Sequence, residues 1–255
     1  ALTPSDCEIL CAIGCEDALV GRGKYCDYPE SISALPVVQS GAETNIEEIL
    51  ALDPQVVLMS DMSQTEEQAK LLEQNGVKVV ISDANDIAGV YTAIRMIGAL
   101  MAKDDAAETL IGDMQATFDE IAAKSEKSGK TIYFEVSPLQ WGLWTAGSGT
   151  FMDELATMCG VTNAFADISG WQSVSEEQVI ERSPDYIVSI AGMGDTAVEE
   201  IMGRDGWSDI GAVKNGRVYN ADSNAISRPG PRLKDAAIEL YHFLNDDEAE
   251  EAPAA

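Results

Sequence analysis

The stretch Asn45-Ile46-Glu47-Glu48-Ile49-Leu50-Ala51-Leu52-Asp53-Pro54-Gln55-Val56-Val57-Leu58 decides the fold, because it occurs twice. At a constant offset of 130 residues stands Ser175-Glu176-Glu177-Gln178-Val179-Ile180-Glu181-Arg182-Ser183-Pro184-Asp185-Tyr186-Ile187-Val188. Each copy opens on a residue that caps helices, Asn45 or Ser175, with Glu48 or Gln178 three positions on, the spacing of a capping box. Two aliphatics follow (Ile49-Leu50, Val179-Ile180), then a proline that stops the helix (Pro54, Pro184), then a short β-rich run. Two residues past each cap stands a glutamate, Glu47 or Glu177. Two copies of one helix–turn–strand unit predict two similar lobes.

Working outward, residues 5–81 alternate helix and strand with short connections, the signature of a parallel α/β layer. Ser5-Asp6-Cys7-Glu8 reads as a capping box before a helix through Ile9, Leu10 and Ile13, which Gly14 ends. Leu19-Val20-Gly21 reads as a short strand, and Leu35 to Val38 as a second extended piece. A helix is expected over Glu66 to Asn75 and a strand over Val77 to Ile81. Ile87 to Met101 reads as a further helix. Asp104 to Lys127 reads as a long amphipathic one, with Leu110, Ile111, Met114, Phe118 and Ile121 at helical spacing. A strand at Thr131 to Val136 opens the second half, and a helix over Leu233 to Leu244 closes it.

The expected architecture is therefore α/β: two Rossmann-like lobes joined by one long rigid helix, with a ligand cleft between the lobes. The boundaries are 1–102 for the N-terminal lobe, 103–127 for the interlobe helix and 128–245 for the C-terminal lobe, with 246–255 as an acidic tail expected to be disordered. A single helical connection leaves less room for the wide hinge closure that flexible strands allow.

The chain has 255 residues, 45% of them hydrophobic, enough for a substantial core. Its net charge of −28 excludes nucleic acid, which needs a basic surface, and attraction to anionic lipid. An acid excess of this size solubilises, and it suits a salt-rich medium, where screening removes self-repulsion. No apolar run approaches the ~20 residues of a membrane span. A helix start at Pro4-Ser5, directly after Ala1 to Thr3, suggests that a preceding segment of the mature protein has been removed.

Enzyme signatures are poor. His242 is the single histidine, in an apolar helix where a partly buried structural role is expected. Gly21-Arg22-Gly23 lacks the third glycine of a dinucleotide loop, and Gly147-Ser148-Gly149 does not lead into a phosphate-loop Lys-Ser/Thr. Cys7, Cys11 and Cys15 recur every four residues. That spacing fits three small core residues on one helix face; with Cys26 the three are also the only candidates on which a metallocofactor-dependent enzyme could be built. Cys15 and Cys26 could pair across a turn. Glu47 and Glu177 as a catalytic carboxylate couple would have to lie close together, whereas matched positions on two lobes lie apart; they read instead as docking knobs for a partner that is itself two-fold. A helix-dipole role explains either glutamate alone.

The aromatics Tyr25, Tyr28, Trp141, Trp144 and Trp171 fall in predicted loops, where open α/β sheets bind ligands and where ring faces suit a large flat molecule. Arg228-Pro229-Gly230-Pro231-Arg232 is a stiff turn before the last helix that offers an anion or amide contact. Trp207 reads as core.

Taken in order, Pro4-Ser5-Asp6-Cys7-Glu8-Ile9-Leu10, Val20-Gly21 with Tyr25-Cys26-Asp27-Tyr28-Pro29, Asn45 to Ile49, Trp171 to Val179, and Ala212-Val213-Lys214-Asn215-Gly216-Arg217-Val218-Tyr219 carry a resemblance that spans nearly the whole chain. The sequence resembles substrate-binding proteins of prokaryotic ABC importers, of the class with a single interlobe helix that binds cobalamin, haem and ferric siderophores, and among these the cobalamin binders. The resemblance implies a non-enzymatic, extracytoplasmic protein, lipid-anchored at the outer face of the cell membrane or periplasmic. It would be a monomer without a resident cofactor, delivering a corrinoid to an ABC permease and its ATPase. Haem or a ferric siderophore is the alternative cargo. By position, Glu47 and Glu177 resemble glutamates that dock onto permease arginines. Tyr28 and Trp171 resemble aromatics of a corrin pocket, joined by Tyr25 and Trp144, and Arg228 resembles an arginine at the ligand's polar edge. Asn224 and Ala225 depart from the Asp-Trp pair expected of cobalamin binders.

Overall fold

A computed structural model describes residues 1–250. The chain folds into two compact units. The first comprises 1–84, 88–114 and 228–231; the second comprises 85–87, 115–227 and the chain from Arg232 on.

The first unit opens with α1 (Pro4–Ala12). Its cap is Thr3 rather than Ser5, because Pro4 takes the first helical position, where a missing N–H costs nothing. Asp6, read from sequence as part of a capping box, is instead fully buried and accepts hydrogen bonds from the Thr3 and Ser82 hydroxyls. There follow β1 (Arg22–Gly23), β2 (Val37–Val38), α2 (Ile46–Ala51), β3 (Val56–Met59), α3 (Glu66–Gln74), β4 (Lys78–Ile81) and α4 (Ile87–Leu100). The first short strand thus lies at Arg22–Gly23, just past the expected Leu19–Gly21. β1 pairs in parallel with β2, and β3 with β4. The N-terminal residues lie between these pairs: Gly23 N–H donates to the Ala1 carbonyl and Leu2 N–H to the Leu58 carbonyl, each at 2.9 Å. Leu2, Val38, Ile49, Val57, Met59 and Leu72 form the core beneath.

The long helix α5 (Asp104–Lys124) runs through the boundary of the two units at Met114 and Gln115. Leu110 is half-buried, whereas Ile111, Met114, Phe118 and Ile121, at helical spacing, are all buried.

The second unit contains β5 (Thr131–Glu135), β6 (Trp144–Ala146), α6 (Phe151–Met158), β7 (Thr162–Asn163), β8 (Trp171–Ser173), α7 (Glu176–Arg182), β9 (Tyr186–Ser189), α8 (Ala197–Met202), α9 (Gly211–Lys214), β10 (Val218–Asn220), α10 (Ser223–Ser227) and α11 (Leu233–Glu250). Four strands form one parallel sheet in the order β10-β9-β5-β7. β6 and β8 form a separate antiparallel ribbon. Tyr133, Phe165, Val179, Ile187 and Ile201 pack with a fully buried Trp207 in this unit's core. α11 continues past the expected stop at Leu244 to Glu250; the remainder of the acidic tail, 251–255, lies outside the described residues. His242 is exposed on this helix, edge-on to Tyr241, and not partly buried as its apolar neighbours suggest.

Both copies of the repeat form the expected helix–turn–strand unit, but the capping box closes only in the second, because the Glu48 carboxylate accepts from the Gln39 N–H instead. Asn45 accepts from the Glu48 N–H at 3.2 Å, and Ser175 accepts from the Gln178 N–H at 3.3 Å. After each helix one residue takes a left-handed conformation, Asp53 (φ 50°) and Ser183 (φ 42°), at the same place in the repeat. Each precedes a proline, which disfavours the right-handed helical region for the residue before it.

Candidate functional site

In the first unit the Tyr25–Tyr28 loop follows β1. Tyr25 is 64% exposed and Tyr28 45%, so neither ring is needed by the core. The loop is braced from within. Arg228 Nη1 donates to Asp27 Oδ1 at 2.7 Å and to Glu8 Oε1 at 3.1 Å, and its Nη2 donates to the Tyr25 carbonyl at 3.2 Å. Arg22 Nη1 donates to the Cys26 carbonyl at 2.8 Å. The structure thus brings Tyr25, Tyr28 and Arg228 together in one unit, with Arg228 holding the loop on α1. The turn at Arg228–Pro231 belongs to the first unit, and a Cβ on Gly230 would lie 3.6 Å from Ser5.

In the second unit Trp144 and Trp171 stand on strands, not in the loops expected from sequence. Trp144 pairs with Ser173 and Ala146 with Trp171, so alternate positions put both tryptophans on one face of the ribbon as diagonal neighbours. Trp144 is 44% exposed. Trp171 is half-buried, its ring tilted against that of Phe151 at 5.4 Å between centroids. Val136 N–H donates to the Trp144 carbonyl at 2.9 Å and ties the ribbon to the end of β5. The glycine-rich segment after β6 serves this geometry. A Cβ on Gly147 would come 2.2 Å from the Ile168 carbonyl, so the glycine permits a close backbone crossing beside the ribbon.

Glu47 and Glu177 are both exposed, each at the second position of its helix and on a different unit. The Ser175 hydroxyl holds the Glu177 carboxyl below the ordinary carboxylate range. No helix among the described residues is long and apolar enough to cross a membrane. No three His, Cys, Asp or Glu side chains among them are grouped as metal ligands.

Sequence reasoning missed an acidic pair. Asp61 and Asp83 lie just past the C-terminal ends of β3 and β4, the end at which open parallel sheets take ligands. Asp61 N–H donates to Asp83 Oδ2 at 2.7 Å, and a hydrogen bond between the carboxyl groups raises that of Asp61. The signal is the dipeptide Ser-Asp after each apolar run, Ser60-Asp61 and Ser82-Asp83. Phe151, the backing for Trp171, carries no comparable sequence signal.

The family described as periplasmic binding protein matches residues 1–225. A Bacillus subtilis relative, the uncharacterised ABC transporter substrate-binding lipoprotein YvrC, is 34% identical over 254 residues, covering 97% of this chain and 79% of the relative. The vitamin B12-binding protein of Salmonella choleraesuis is 30% identical over 249 residues, covering 96% of this chain and 88% of the relative. Among solved structures, a possible iron-binding (periplasmic solute-binding) protein from Staphylococcus epidermidis superposes with a TM-score of 0.81 at 31% identity, covering 95% of this chain and 96% of the other. The chain belongs to the periplasmic binding protein family, as a substrate-binding protein of the ABC-importer type rather than an enzyme.

Proposed function

We propose that this protein captures a corrinoid outside the cytoplasm and delivers it to an ABC permease driven by its ATPase. The observation that carries the reading is the pair Trp144 and Trp171 on one face of the β6–β8 ribbon: ring surface left outside the core suits a broad, flat macrocycle. Taken by itself, the first unit offers two further exposed rings, Tyr25 and Tyr28, on a loop that Arg228 braces through the Tyr25 carbonyl. Shared sequence with a vitamin B12-binding protein over 96% of the chain supports the choice of cargo. An anchor of the kind a lipoprotein relative carries would hold the protein at the outer membrane face.

Adding cobalamin and haem separately, while following absorption and the melting transition, tests the cargo. Ligand at about 100 times Kd stabilises by ~2.7 kcal/mol. For a chain of this size that is a rise in Tm on the order of 5–10 °C. A response to cobalamin is expected. No response at tens of micromolar, or a response to haem alone, overturns the corrinoid reading.

Glu47 and Glu177, exposed at matched positions of a repeated helix, are the docking contacts for the permease. Glu47→Arg with Glu177→Arg is expected to abolish transfer of ligand into vesicles holding the importer while leaving ligand binding unchanged. Transfer at the wild-type rate by the doubly reversed protein removes the docking role.

A further inference from the structure

Cys7 and Cys26 are fully buried around one backbone oxygen. Each Sγ lies 3.9 Å from the same oxygen, the carbonyl of Ala1. Their interaction pushes the Cys7 thiol up and draws the Cys26 thiol down from the ordinary value. The partner of Cys26 is therefore on α1, at Cys7, and not Cys15 across the nearer turn. The backbone on both sides is fixed by one side chain. Arg228 grips Glu8, next to Cys7, and grips Tyr25 and Asp27, on either side of Cys26. Two buried sulfurs that share one acceptor, on two segments held by one arginine, are placed for a bond between them.

We propose that Cys7 and Cys26 are a disulfide-forming pair, joined by a thiol–disulfide oxidant, that staples the tyrosine loop to α1. The Cys26 thiolate attacks the oxidant's disulfide, giving a mixed disulfide and releasing one oxidant thiol. Cys7, its proton lost to solvent base, then attacks the Cys26 sulfur and releases the second oxidant sulfur as a thiol. Two protein thiols and one oxidant disulfide become one protein disulfide and two oxidant thiols. The exchange takes place as the chain folds, before both sulfurs are enclosed. An oxidising compartment, which rests on the extracytoplasmic reading above, supplies such an oxidant. The pairing itself rests only on the geometry of the first unit. Cys11, Cys15 and Cys159 have no part in it.

The test is peptide mapping of the full chain refolded with oxidised glutathione, then alkylated in denaturant with and without dithiothreitol. The expected result is a cross-linked peptide containing Cys7 and Cys26, lighter by about 2 Da than the reduced pair, that disappears on reduction. Alkylation of every cysteine without reductant, or a Cys15–Cys26 linkage, overturns the proposal. As a second measurement, dithiothreitol is expected to lower Tm in wild-type protein and to leave Tm unchanged in Cys7→Ser/Cys26→Ser. Equal sensitivity of the two proteins overturns it as well. Neither measurement involves a ligand or an importer, so failure here is distinct from failure of the proposed function.

Discussion

α2 and α7 are copies of one local code, and their surroundings hold them by different physics. α2 is held by oil. Ile46, Ile49, Leu50 and Leu52 all pack on the first unit's core. Leu52 sits so close to Gly21 that a Cβ there would come within 2.4 Å of it. α7 buries Val179 in the same way, but the positions matching Ile46 and Leu52 are Glu176 and Arg182. Glu176 Oε2 accepts from Trp207 Nε1 at 3.0 Å. Arg182 grips Asp167 with two nitrogens, at 2.7 and 2.9 Å, and lies 4.3 Å over the Phe165 ring. Behind Trp207 stands Arg204, 4.4 Å from its ring and bonded to Glu135 at 2.7 and 2.8 Å. The helix code is portable because it uses only its own backbone. What anchors the helix is chosen separately by each unit.

The largest effect is expected where that choice is polar and buried. Glu135 is fully buried, and burial pushes its carboxyl up against the pull of Arg204. Arg204→Met removes the partner and leaves the acid behind, a loss of about 3–5 kcal/mol as for other broken buried pairs. Glu135→Gln in the same chain should recover part of it. In α2 the nearest counterpart, Glu48→Ala, removes only an exposed contact to the Gln39 N–H and should cost about 1 kcal/mol. Urea melts of the three variants decide. A loss below ~1 kcal/mol for Arg204→Met means that the buried pair behind Trp207 contributes little to the second unit.

The first unit has a buried acid of its own, and the contrast is in its partners: Asp6 has hydroxyls, Thr3 and Ser82, where Glu135 has an arginine. Burial, the largest influence, pushes the Asp6 carboxyl from 3.8 up to about 6. A raised folded pKa favours the protonated form. The stability it brings is complete below pH 3.8 and is lost as pH rises through about 6. The difference amounts to about 3 kcal/mol at 1.36 kcal/mol per unit. Asp6→Asn should match wild type near pH 4 and exceed it above pH 7 by up to about 3 kcal/mol. Parallel stability curves for the two proteins across that range exclude the assignment.

How much of this could be read from sequence follows from how local each feature is. Caps, proline stops and the buried stripe of α5 depend on neighbours within a turn or two, and the repeat made them legible. The Ser5 capping box failed because Pro4 starts the helix two residues earlier. That shift turned Asp6 from a cap-box member into a buried acid. Trp144 and Trp171 sit on a ribbon of three-residue strands whose pairing joins segments far apart in sequence, which no periodicity records. Arg228 meets Glu8 across 220 residues. Its Pro-Gly-Pro setting announced a stiff turn but not what the turn would reach.

The smallest effect expected sits inside the caps themselves. Ser175 and Gln178 form a closed box: the serine accepts from the Gln178 N–H, and Gln178 Oε1 accepts from the Ser175 N–H at 2.9 Å. In the first copy Asn45 accepts from the Glu48 N–H, but the Glu48 carboxylate turns away to Gln39, and the Asn45 N–H donates to the Gln39 carbonyl. Each cap residue should cost ~1 kcal/mol when changed to Ala. The difference lies in coupling. A double-mutant cycle on Ser175→Ala and Gln178→Ala should show an interaction of about 0.5 kcal/mol, because each side chain fixes the backbone the other binds. The cycle on Asn45→Ala and Glu48→Ala should show almost none, because there the two side chains serve different backbone groups. Equal coupling in both cycles means that Glu48 returns to its own cap in solution and that the two copies differ only in what surrounds them.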